Sequence, residues 1–242
     1  MPIAFGSATT ATANNVASNS LSVPSGTVDG DMLLIGICVS ESAGVAPTVT
    51  GFTLKASHNG VQDGGAYNHD VTTTLFWRRA SSEPASYTVN NDGTYGKYAA
   101  MAMLRYTGVI VTGDPFRTSA TVSRTNVIAG SATSVALTGV QASDMALHLA
   151  GACLGNWNGT DWNPAGPGGG WVERGEIIAT AATSTPGVLF VEQFGTGTAP
   201  AFTATGSTNL GWVFAAGALM EEPAGGGASK IHSTAVRRAS TW

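Results

Sequence analysis

Leu21-Ser22-Val23 followed by Gly30-Asp31-Met32-Leu33-Leu34 returns later in the chain as Val135-Ala136-Leu137 followed by Ser143-Asp144-Met145-Ala146-Leu147. The offset is 113 residues from Asp31 to Asp144 and 114 from Val23 to Leu137. The echo continues in order: Gly51-Phe52-Thr53 is answered by Gly170-Trp171-Val172, and Leu75-Phe76 by Leu189-Phe190. Pro84-Ala85-Ser86-Tyr87-Thr88 is answered by Pro200-Ala201-Phe202-Thr203, and the stretch from Ala99 to Leu104 by that from Trp212 to Leu219. Six features in one order read as two degenerate copies of a β-rich unit, about 21–110 and 134–220. The spacing far exceeds the roughly 20 to 50 residues of a solenoid repeat, so two similar half-sheets are expected, packed as one sandwich or as two small β domains.

Apolar or β-branched runs bounded by Gly, Pro, Asn and Asp predict strands at Leu33 to Val39, Thr72 to Arg78, Ser86 to Val89, Ala99 to Tyr106 and Val135 to Leu137. Further strands are expected at Met145 to Cys153, Glu176 to Ala182, Val188 to Phe194 and Trp212 to Leu219. Ala99 to Leu104 and its echo have a helix-like composition, but the surrounding pattern makes both buried strands. With 32 glycines and no convincing amphipathic helix, the fold class is all-β: an antiparallel β-sandwich or jelly roll of two pseudo-repeats. The sandwich is expected over 21–222, flanked by an N-terminal extension at 1–20 and a C-terminal arm at 223–242.

Hydrophobic residues make up 43% of the chain and charged ones only 11%, against about 25% in ordinary soluble proteins. Solubility then rests on Ser, Thr, Asn and Gly, a surface typical of extracellular or particle-bound β proteins. A net charge of −4, with basic residues scattered until the C-terminus, gives no footprint for nucleic acid. The first 15 residues carry no export signal and no run is long and apolar enough to span a membrane, so a soluble chain is expected. Cys38 and Cys153 fall at roughly matching places and read as buried thiols rather than a disulfide.

Asp31 and Asp144 precede strong strands, where a carboxylate accepts backbone N–H groups and closes a turn; a metal role for Asp29 or Asp31 is the weaker reading. The largest insertion of the second copy holds Trp157, Asn158, Asp161 and Trp162, where indoles can stack on a sugar ring while amide and carboxylate bond its hydroxyls. The same indoles can instead cap an open sandwich end or meet a subunit. The loop from His58 to Asp70 gathers Asp63, Tyr67, His69 and Asp70 without regular ligand spacing. No nucleophile elbow, zinc helix, Walker loop or dinucleotide fingerprint occurs. Glu41, Glu83, Glu173, Glu176 and Glu192 are candidate acids for glycoside hydrolysis, with no motif to choose among them. No cofactor and no metal site is expected. Beyond the Gly-rich 224–229, the basic arm presents Lys230, Ile231, Val236, Arg237, Arg238 and Trp242 for contact with a neighbouring subunit.

The run from Val23 to Leu34, with Gly51-Phe52-Thr53-Leu54, Leu75-Phe76-Trp77-Arg78-Arg79-Ala80 and Pro84-Ala85-Ser86-Tyr87-Thr88, resembles a β-sandwich module of tailed-bacteriophage virion proteins, found in minor tail, fibre-tip and head-decoration proteins. The likeness covers about 21–108. It implies a non-enzymatic structural protein on the exterior of a phage particle, decorating the capsid or forming part of a tail appendage, and partnered by copies of itself and other virion proteins. Two other classes stay open: a carbohydrate-binding adhesin that uses the Trp-rich loop on a host-surface glycan, and a polysaccharide-degrading enzyme.

Overall fold

The computed structural model describes residues 1–14, 16–40, 46–60, 71–91, 98–120, 124–134, 136–154, 163–165, 170–179, 185–195, 197–199 and 203–223. The first half supplies β1 (Ala4–Asn14), β2 (Ser18–Ser22), β3 (Met32–Ser40), β4 (Thr48–Val49), β5 (Thr53–Gly60), β6 (Val71–Arg79), β7 (Ser86–Asn90) and β8 (Tyr98–Thr107). The second supplies β9 (Phe116–Ala120), β10 (Arg124–Thr133), β11 (Leu137–Val140), β12 (Met145–Leu154), β13 (Asn163–Ala165), β14 (Val172–Ile178), β15 (Thr185–Phe194), β16 (Gly197–Ala199) and β17 (Thr203–Leu219). The chain is all-β among the described residues, and its strands pair antiparallel.

Strand order explains the composition. One sheet runs β1-β8-β3-β6-β5, and a smaller one, β2-β7-β4, covers its outer face. A second large sheet runs β10-β17-β12-β15-β14, with β9 and β13 also on β17, and the pair β11-β16 lies over its outer face. The two large sheets pack against each other. Strand β3 is therefore covered on both sides: Met32, Leu34 and Cys38 enter the core between the large sheets, while Leu33, Ile35, Ile37 and Val39 enter the core under β2-β7-β4. Two buried faces erase the apolar/polar alternation of a half-exposed strand, which is why the sequence there is one apolar run. Strand β8 obeys the same rule, with Ala100, Ala102, Leu104 and Tyr106 on one side and Ala99, Met101 and Met103 on the other. Each fully buried Leu, Ile or Phe contributes about 1.5–3 kcal/mol, so these two cores hold the molecule together.

The orders of the two large sheets correspond when β1 is matched with β10, β8 with β17, β3 with β12, β6 with β15 and β5 with β14. Registers correspond too: Met32 lies opposite Tyr106 and Arg79, and Met145 opposite Leu219 and Phe194. Counted from the aspartate that closes each turn, Gly36 takes the place of Leu149 and Cys38 that of Gly151. Cys153 is two residues out of step with Cys38, so the matching of the cysteines holds only loosely. Across the interface the sheets interlock at these positions. A Cβ on Gly36 would come within 2.6 Å of both Phe190 and Leu149, and one on Gly151 within 1.9 Å of Thr73 Oγ1. The Cys38 thiol spans the same interface, donating to the Ala152 carbonyl at 3.5 Å.

Two sequence expectations need correction. Residues 4–14 are not an extension but the edge strand β1, paired along its length with β8. Their Ala, Thr and Ser side chains bury little on the outer face and so left no apolar signal. The strand expected at Glu176 to Ala182 begins earlier, as β14 at Val172. The crossover between halves, 108–115, is pinned to the end of the second: Val109 bridges Glu221, Glu222 N donates to Gly108 O at 2.8 Å, and Ile110 N donates to Met220 O at 2.9 Å. Arg79 adds bonds to the carbonyls of Val109 and Ile110.

Candidate functional site

The two turn aspartates are built alike. Asp31 Oδ2 accepts Val28 N at 3.0 Å, and Asp144 Oδ2 accepts Gln141 N at 2.8 Å. Gly30, at φ 95°, supplies the left-handed residue the first turn needs. Each carboxylate also holds an arginine: Arg105 Nε lies 2.6 Å from Asp31, and Arg117 grips Asp144 through Nε at 2.6 Å and a terminal nitrogen at 3.1 Å. The bidentate bond to Asp144 raises the Arg117 pKa above its ordinary value. Asp29 caps Ser82 N at 2.7 Å. These carboxylates close turns and neutralise guanidiniums, and among the described residues no three His, Cys, Asp or Glu groups gather as metal ligands.

A second constellation sits where the large sheets meet at one side. Glu192, on β15, accepts the Tyr106 hydroxyl at 2.6 Å on one oxygen and Arg174 Nε at 2.6 Å on the other. Arg174 stacks 4.7 Å over the Phe5 ring, and Phe5 meets Tyr106 edge to face at 5.8 Å. Strands β1, β8, β14 and β15 are thus stitched through one buried carboxylate. Burial, and then the charge of Glu192, push the Tyr106 pKa well above its usual value, so its hydroxyl stays a donor. With each carboxylate oxygen holding a donor and the residue almost wholly buried, Glu192 acts as a clamp between strands.

Beside this clamp an open groove of about 560 Å³ runs between β1 and β14, lined by Ala8, Thr10, Glu173, Glu176, Ile177 and Ile178. Gly175 forms its close-packed side, where a Cβ would stand 3.4 Å from Leu104 and 3.9 Å from Ala8. Both flanking strands end their sheets: among the described residues β1 pairs only with β8, and β14 only with β15. The groove therefore has an apolar wall, the charged residues Glu173, Arg174 and Glu176 in its lining and, among the described residues, two strand edges without a further strand.

Of the candidate acids, Glu173, Glu176 and Glu192 lie on this side, and Glu192 is committed to its clamp. Glu83 lies elsewhere, bonded to Arg78, Tyr87 and Ser81 N. Burial alone would raise its pKa, but these donors outweigh burial and hold it low, while Tyr87 is pushed up to about 12. His148 packs edge to face on Trp171 at 4.7 Å, and burial lowers its pKa to about 3. It is neutral throughout the physiological range. Glu41, the loop group Asp63, Tyr67, His69 and Asp70, the quartet Trp157, Asn158, Asp161 and Trp162, and the arm residues Lys230, Ile231, Val236, Arg237, Arg238 and Trp242 lie outside the described residues. Sequence reasoning missed the Tyr106–Glu192–Arg174 clamp and both arginine partners. The signal was present as charged residues inside otherwise apolar strands, at Leu104-Arg105-Tyr106 and Val191-Glu192-Gln193. Comparison with protein families, curated proteins and solved structures gives no match to this chain.

Proposed function

We propose that this chain is a non-enzymatic structural protein of a tailed-phage particle, a β module displayed on the exterior that decorates the capsid or forms part of a tail appendage. The observation that supports it most is the core shared by the two large sheets, to which both halves contribute. It joins two β units into one block that a particle can carry without hinge motion. The buried charges fit the same reading, since Asp31, Asp144 and Glu192 are each spent on internal clamps.

The finer architecture we infer is a tandem of two jelly rolls. Support comes from the first half, where β1, β3, β6 and β8 lie in one sheet and β2, β4 and β7 in the other, so that most successive strands change sheet. The matched strand orders support an internal repeat, and superposition of 32–107 on 145–219 tests it. Jelly rolls serve in viral capsid and lectin domains alike, so the architecture also accommodates the adhesin reading.

The deciding experiment measures the solution mass of the full chain across micromolar concentrations, with a glycan array run in parallel. A defined oligomer without glycan binding supports the structural role. A monomer that binds a glycan, and loses it with Trp157→Ala or Trp162→Ala, overturns it in favour of an adhesin. Release of reducing sugar from a polysaccharide would overturn it in favour of an enzyme.

A further inference from the structure

We propose that Cys38 and Cys153 form a redox pair: on oxidation they join as one intrachain disulfide that staples the two large sheets, and on reduction they part again. Register is the first argument. Strand β3 pairs with both neighbours without a shift from Met32 to Ser40, and β12 does so from Met145 to Cys153. Alternation is therefore unbroken in both strands. It sends Met32, Leu34 and Cys38 of β3, and Met145, Leu147 and Leu149 of β12, into the core between the large sheets. Gly151 stands on that same face, against Thr73, and two residues further the alternation places position 153 there as well.

Distance is the second argument. The Cys38 thiol, which is wholly buried, lies 3.5 Å from the carbonyl oxygen of Ala152, the residue bonded to Cys153. A side chain of two heavy atoms that touches the main chain of the facing strand brings the backbones well inside the roughly 10 Å of ordinary stacked sheets, toward the short Cα separation a disulfide needs. Gly36 and Gly151 permit that approach, because a Cβ at either would collide with the opposite sheet. Composition is the third argument. These are the two cysteines of the chain, so neither has a competing partner within the molecule.

The step balances with a small disulfide such as oxidised glutathione as the oxidant. The thiolate of one cysteine attacks a sulfur of the reagent and expels one glutathione thiolate; the thiolate of the other then attacks the mixed disulfide at the protein sulfur and expels the second. Two protein thiols become one disulfide, and the reagent takes both electrons and both protons as two glutathione thiols. The loop closed runs from 38 to 153, and constraining so long a loop in the unfolded chain should raise the folded-to-unfolded ratio roughly 30- to 1000-fold. The pairing stands whether or not the protein belongs to a particle.

Refolding the full chain from urea in a glutathione redox buffer, followed by trapping of thiols with an alkylating reagent, tests the inference, since refolding removes burial as a barrier to oxidation. The expected product is a monomer lighter by two hydrogens that takes up no alkylating reagent and unfolds at a higher urea concentration than the same protein in dithiothreitol. Two alkylated thiols, glutathione retained on either cysteine, or a disulfide-linked dimer would each overturn the proposal, and a bridge that lowers the urea midpoint would overturn its role as a staple. Cys38→Ser and Cys153→Ser should each leave one thiol open to alkylation and a urea midpoint that no longer responds to dithiothreitol. A response that survives either substitution would place its origin outside the pair and count against it.

Discussion

The Asp31 and Asp144 turns solve one problem with different arginines. Both aspartates close a turn by accepting the N–H three residues back, and both hold a guanidinium at 2.6 Å. The first arginine, Arg105, comes from β8 inside its sheet, and the second, Arg117, from β9 at the margin of the other. Neutralising a nearly inaccessible carboxylate is the fixed requirement, and the strand that supplies the cation is free to change. The interface between the large sheets diverges by the same logic. Gly36 and Leu149 stand at equal distances from their aspartates, and the leucine of one strand fills the space the glycine of the other leaves.

Leu149→Ala breaks the comparison most severely, because it empties the volume over Gly36; we expect a loss of about 4 kcal/mol in urea denaturation. A loss under about 1 kcal/mol would mean the sheets close over the gap and do not interlock. Asp144→Ala should cost about 3 kcal/mol and Asp31→Ala about 2, since Asp144 is the more deeply buried and accepts the bidentate arginine. Equal losses would show that the second guanidinium bond carries no weight. Gly36→Ala should cost about 2 kcal/mol by overpacking. Adding Leu149→Ala should cost less than the sum of the two, and strict additivity in the double-mutant cycle would refute direct contact.

The smallest effect sharpens the comparison at Ile35 and His148, which stand at the same distance from their aspartates. Folding lowers the His148 pKa from 6.5 to about 3, so the unfolded chain takes up a proton the folded one refuses. Stability from this group is complete above pH 6.5 and is lost as pH falls toward 3. At pH 5 the loss should reach about 1–2 kcal/mol. His148→Ile should flatten that part of the stability profile; an unchanged acid limb would place its origin in other groups.

Much of this fold was legible because turn aspartates and apolar runs are local signals. Strands β3 and β12 could be placed by their Asp-Met starts, and β15 by Leu189-Phe190. What hid β1 was its place at an edge, where Ala and Thr suffice and hydrophobicity is low. The site was less legible. Glu192 stood among the candidate acids, yet its role depends on Arg174 and Tyr106, which lie 18 and 86 residues away in sequence and are joined to it only by sheet packing. No local pattern encodes a pairing of that kind.

The bonds that tie 108–115 to 220–222 also bring the Met1 amino group to 3.3 Å from the Glu222 carbonyl. In a chain ending at Glu222, a short linker between those residues would close the folded body into a ring, and the exposed Gly113 offers a place to open it again. Such a circular permutant would be translated with its second half first. Its interlocked sheets would be unchanged, so a native spectrum from it would establish that the order of synthesis is not what assembles them.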